Sequence, residues 1–108
     1  MQESDLWPAL RAFWHPVAFA EDIKEKPIAL KLLDEPIVVC RMGSLYAAYH
    51  DLCIHRGTPL SLGWIEGGKL ICAYHGWAYD ADGKCVRIPS VSEDHPIPKK
   101  ACLTTYRV

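Results

Sequence analysis

The chain has 108 residues, half of them apolar and 23% charged, with a formal net charge of −1. That length fits one domain with a modest core, and the scattered lysines and arginines exclude an electrostatic footprint for nucleic acid. The N-terminus MQESDLWPALRAFWHP mixes acidic residues with tryptophans, so it reads as neither a signal peptide nor a membrane span.

Leu6, Trp7, Leu10, Phe13 and Trp14 recur at roughly helical spacing, which predicts a short N-terminal helix capped by Ser4 or Asp5, with Pro8 near its start. Its apolar side chains suit a lid over one end of a barrel, or a contact with another domain or subunit. His15 lacks a partner motif and reads as structural. From Val17 onward the text is short strands and turns. A strand over 27–33 ends at Asp34-Glu35-Pro36, and a second over 37–41 turns at Met42-Gly43-Ser44 into a third over 45–49. His50 and Asp51 read as loop residues. Leu60, Leu62 and Trp64 offer apolar cover, and Gly67-Gly68 turns the chain into a strand over 69–71. Trp77-Ala78-Tyr79 opens another strand, Asp82-Gly83 marks a hairpin, and 84–87 returns. Residues 89–100 carry three prolines and form an extended loop; 103–106 alternates like a strand. The fold class is therefore all-β, a small antiparallel barrel or sandwich.

Two short pairs carry the chemistry: Cys53-x-His55 and Cys72-x-x-His75, each offering one thiolate and one imidazole. Arg56-Gly57 follows the first pair and Gly76 the second, and Gly76 permits a positive φ or a close backbone approach. Cysteine with histidine suits zinc or an iron–sulfur centre. A zinc site usually sets a Cys-x-x-Cys knuckle against a second pair. Two mixed, near-equivalent pairs fit better a [2Fe-2S] centre in which two histidines replace two cysteines. Cys40, Cys85 and Cys102 sit in apolar, strand-like text and read as buried small hydrophobes.

The stretch C-x-H-R-G-x-P-L-S-x-G, a glycine turn, then L-x-C-x-Y-H-G-W-x-Y-D resembles the Rieske [2Fe-2S] domain. It is most similar to the version at the N-terminus of Rieske non-heme iron oxygenases, the aromatic-ring-hydroxylating type. The resemblance spans nearly the whole chain, 1–108, as one domain. It implies a binding subdomain of two loops, 53–58 and 72–77, holding one [2Fe-2S] cluster per chain. Cys53 and Cys72 would hold one iron; His55 and His75 would hold the other, with their free ring nitrogens outward. Arg56, Gly76, Trp77 and Tyr79 would lie around the ligands or at the electron exit. Cytochrome-complex relatives clamp their loops with a disulfide at positions that are Thr58 and Tyr74 here. High-potential relatives place a serine where this chain has Trp77, so the potential should fall in the lower half of the Rieske range.

No catalytic residue is expected, because His15, His50 and His95 form no second metal set. The resemblance implies one-electron transfer as the electron-input domain of an oxygenase, with a chain that stops short of a C-terminal catalytic domain. A reductase or ferredoxin would be the donor and a mononuclear-iron domain the acceptor, in a full-length form that is a homotrimer. The alternatives are a free-standing Rieske ferredoxin and a structural zinc module for protein contacts. The odd cysteine count argues against a disulfide framework and for a reducing cytoplasm.

Overall fold

The computed structural model describes residues 10, 13–54, 58–74, 76–90 and 96–108. Among them, eight strands form two four-stranded antiparallel sheets. The first sheet has the order β1 (Ile28–Leu32), β2 (Glu35–Met42), β3 (Leu45–His50), β8 (Thr105–Tyr106). The second is a meander of β4 (Trp64–Glu66), β5 (Lys69–Ile71), β6 (Ala78–Tyr79) and β7 (Cys85–Arg87). Since β8 returns to pair with β3, the whole second sheet is an excursion inserted between two neighbours of the first. The all-β expectation holds.

The run Ile37-Val38-Val39-Cys40 is buried on both faces because β2 is central, flanked by β1 and β3. Val38, Cys40, Met42, Ala47 and Tyr49 point into a core shared with Leu70, Tyr79 and Cys85 of the second sheet. Ile37, Val39 and Ala48 point the other way, onto Ile23. The Tyr49 hydroxyl donates to the carbonyls of Asp80 and Ala81 at 2.9 and 3.0 Å, fastening the β6–β7 hairpin to the first sheet. Asp80 Oδ1 accepts the amides of Asp82 and Lys84, and Gly83 (φ +81°) completes that turn.

Several sequence readings need correction. Asp34-Glu35-Pro36 does not end a strand: the turn is Leu33-Asp34, both at positive φ (50° and 64°), and Glu35 and Pro36 already belong to β2. His50 is the last residue of β3 instead of a loop residue; it pairs with Ile37, and its amide donates to the Thr104 carbonyl at 2.9 Å. Cys102 is exposed, unlike Cys40 and Cys85. Leu60 is fully buried, but Leu62 and Trp64 are 67% and 47% exposed, so only the first covers the core. The helix expected over the N-terminus lies largely outside the described residues. Leu10 is helical and accepts the Phe13 amide at 3.1 Å, while Phe13 and Trp14 are too exposed for a closed lid.

Candidate metal centre

The first loop leaves β3 and the second connects β5 to β6, so one springs from each sheet. Both close in the same way. The Cys53 amide donates to the Thr58 carbonyl at 2.7 Å, and the Cys72 amide donates to the Trp77 carbonyl at 2.8 Å. Each cysteine thus begins a turn of the same span, closed five residues on, although Cys-x-His and Cys-x-x-His differ in spacing. Inside the second loop, the Gly76 amide donates to the Cys72 carbonyl at 3.2 Å. Gly76 sits at φ +70°, where a side chain is strained, and an added Cβ would touch Pro89 at 3.4 Å.

Both thiols are buried, Cys53 at 1% and Cys72 at 0% exposure. Burial pushes the Cys72 thiol up to about 11 against an opposing pull from the Tyr74 backbone, and the neighbouring Cys53 adds a smaller push upward. The two sulfurs therefore lie together in a pocket that resists a bare thiolate. A bound cation removes that penalty, because metal ligation requires the deprotonated sulfur and compensates its charge. This donor set, two soft thiols meeting from two matching loops, fits one end of an iron–sulfur group. The Tyr79 hydroxyl, fully buried, stands 3.1 Å from Cys53 Sγ and also meets the Ile54 backbone. Burial first, then Cys53, raises its pKa, so it stays a protonated donor toward the Cys53 sulfur.

Trp77 is half-buried, packs on the core, and serves the loop through its carbonyl. His55, Arg56 and His75 fall outside the described residues. None of the five cysteines forms a disulfide, in keeping with Thr58 and Tyr74 at the clamp positions. A groove of about 670 Å³ lined by Trp14, Val17, Ile37, Val39 and Tyr106 runs on the outer face of the first sheet and takes none of these residues.

Sequence reasoning missed two features at the base of the site. The backbone of Gly63 lies so close to β5 that a Cβ there would stand 1.9 Å from the Ile71 carbonyl oxygen, one residue before Cys72. Asp51, 6% exposed, accepts both the amide and the hydroxyl of Ser61, at 2.7 and 2.6 Å. A polar residue two positions before the first ligand was the available signal for the second.

Paired loops presenting buried thiols from an all-β scaffold define a small metal-binding domain. Comparison with known proteins makes the class specific: the profile of the Rieske [2Fe-2S] domain matches residues 13–107. The methylxanthine N1-demethylase NdmA of Pseudomonas putida is 44% identical over 98 residues, covering 85% of this chain and 28% of the demethylase. Protein TIC 55, chloroplastic, of Pisum sativum is 41% identical over 97 residues, 88% of this chain and 18% of that protein. The solved structure of NdmA from Pseudomonas putida CBB5 superposes with a TM-score of 0.87 at 38% identity, over 98% of this chain and 33% of the other. Dicamba monooxygenase bound to dicamba gives 0.83 at 33% identity, over 91% and 29%.

The chain belongs to the Rieske [2Fe-2S] domain family. It is homologous to the Rieske domains of non-heme iron oxygenases and spans 18–33% of the length of these relatives. The cofactor of the family is a Rieske-type [2Fe-2S] cluster, and its chemistry is one-electron transfer, so the zinc alternative is set aside. Among the described residues, no helix is long and apolar enough to cross a membrane.

Proposed function

We propose that Cys53, His55, Cys72 and His75 hold one [2Fe-2S] cluster and that the chain is the electron-input domain of a Rieske non-heme iron oxygenase. The observation that carries this reading is the equivalence of the two half-sites: two buried thiols, each opening a loop closed over the same span. When bound, the group would supply one-electron acceptor chemistry, tuned upward by its two imidazole ligands. The chain's own residues do the rest. Cys53 and Cys72 occupy the dry side against Leu60 and Tyr79, which keeps water from the sulfurs. Tyr79 offers a hydroxyl to Cys53, and Gly76 lets the second loop turn tightly. In this reading His55 and His75 would complete the ligand count and Arg56 would serve the electron exit, while Trp77 backs the second loop.

The length of the relatives favours an oxygenase over a free-standing ferredoxin. In that reading the domain 1–108 precedes a catalytic domain bearing mononuclear iron. It takes electrons from a reductase or ferredoxin and works within a homotrimer. Five cysteines without a disulfide suit a reducing compartment, and we assign the cytoplasm.

The test is a substitution series read by colour and iron content. Cys53→Ser, Cys72→Ser, His55→Ala and His75→Ala should each give colourless, folded protein. Cys40→Ser, Cys85→Ser and Cys102→Ser should keep colour. Loss of iron with retained folding in any of the last three overturns the ligand assignment.

A further inference from the structure

The two ligand loops are closed alike at their tips but not at their bases. Below Cys72 and Trp77 the chain runs straight into paired strands, with Ile71 opposite Ala78 in the β5–β6 ladder. The first loop has no such ladder. It leaves the end of β3 and re-enters as the turn Leu60–Leu62, so residues 51 and 61 have no strand pairing to hold them together. What stands there is Asp51, the one buried charged side chain among the described residues. Its amide is fixed to the Pro36 carbonyl at 3.0 Å, which anchors it to the start of β2. Its two carboxylate oxygens take the Ser61 amide and hydroxyl separately.

We infer that Asp51 is a positioning residue for the first half-site, its carboxylate replacing the missing ladder by clamping Ser61 across the base of the loop that carries Cys53. The inference rests on the reading above that Cys53 is a cluster ligand. Charge-assisted hydrogen bonds of this length are about twice as strong as neutral ones and geometrically specific. Two of them on one carboxylate restrict Ser61 in both distance and rotation. Leu60, adjacent to Ser61, is fully buried in the same core cluster as Cys53, Cys72 and Tyr79, so the clamp also holds that side chain in place. Among the described residues, the Asp51 carboxylate is bonded to Ser61 and to neither cysteine, so it acts through Ser61 and Leu60.

The test uses the whole chain loaded with its cluster, in wild-type, Asp51→Ala, Asp51→Asn and Ser61→Ala forms. Groups that hold metal ligands in place change metal retention by about 10–100-fold when removed. Iron release to a colourless chelator should accelerate by about tenfold in Asp51→Ala and less in Ser61→Ala, which keeps the amide arm. The electron paramagnetic resonance signal of the reduced, still-loaded fraction should broaden in Asp51→Ala. Asp51→Asn, whose amide serves both Ser61 groups, should restore the wild-type signal. A merely structural residue would lower thermal stability yet leave that signal unchanged. Wild-type release rates and line shape in folded Asp51→Ala would overturn the inference. If Asp51→Ala does not fold, wild-type release and line shape in Ser61→Ala overturn it. Wild-type protein without a [2Fe-2S] cluster would sink the functional reading instead, which separates the two failures.

Discussion

Replacing Tyr79 by Phe removes one oxygen atom from the wall behind Cys53 and should lower the reduction potential. The hydroxyl is fully buried and 3.1 Å from Cys53 Sγ, so water does not take its place. A ligand thiolate has no proton to give, which makes the phenol the donor. Reduction adds negative charge that spreads onto the sulfurs, so this bond strengthens in the reduced form and stabilises it. Hydrogen bonds to charged groups contribute about 1.5–3 kcal/mol. Only the difference between the two redox states enters the potential, taken here as about 1 kcal/mol. At about 59 mV per tenfold change for one electron, that is a fall of about 40 mV. The Ile54 backbone loses a partner as well, so stability should drop by about 1–3 kcal/mol. Spectroelectrochemical titration at neutral pH reads the potential, with Tyr46→Phe on the exposed face of the β2–β3 hairpin as control. An unchanged or raised potential in a folded, loaded Tyr79→Phe protein refutes the argument.

Three further outcomes follow from the same geometry and chemistry. The midpoint potential should be flat at acidic and neutral pH and fall in alkali by at most about 59 mV per pH unit for each coupled proton. The cause is that reduction raises the basicity of the imidazoles of His55 and His75; voltammetry showing indifference to alkali would contradict imidazole ligation. Burial pushes the Cys40 thiol from 9.0 up to about 11. Its stabilising effect is whole below 9.0 and is lost as pH rises through about 11, because the unfolded chain releases the proton first. Denaturant midpoints should therefore fall toward high pH, less steeply in Cys40→Ala than in wild type, and equal slopes would count against it. Gly63→Ala drives a methyl to 1.9 Å from the Ile71 carbonyl. It should cost about 3 kcal/mol and loosen iron binding. Gly43→Ala meets nothing within 4 Å and should cost only the about 1–2 kcal/mol of a left-handed backbone; equal losses in denaturation would refute the contrast.

The turns that glycine carries were legible from the sequence. Gly43-Ser44, Gly67-Gly68 and Asp82-Gly83 each announce a hairpin, and each forms one. The β1–β2 turn was hidden because Leu33 and Asp34, not glycines, take the positive φ angles, which made Pro36 look like a terminator when it opens a strand. The paired Cys and His motifs stood out because such short spacing has few other causes. Their support did not. Gly63 against Ile71, Asp51 on Ser61 and Tyr49 on Asp80 join residues 8 to 31 positions apart, and no local pattern announces such contacts. Cys102 shows the same limit. Its strand-like text suggested burial, but it sits on an isolated bridge to Lys84 with its side chain outward.

Mössbauer spectroscopy of protein enriched in iron-57, combined with iron and acid-labile sulfide analysis, decides whether two cysteines and two histidines hold the cluster. Two thiolates on one iron and two imidazoles on the other make the sites unlike before any electron arrives. The oxidised protein should therefore hold two irons and two sulfides per chain and show two distinct ferric doublets of equal area. A single doublet from equivalent four-thiolate irons, or stoichiometric zinc in place of iron, would contradict it.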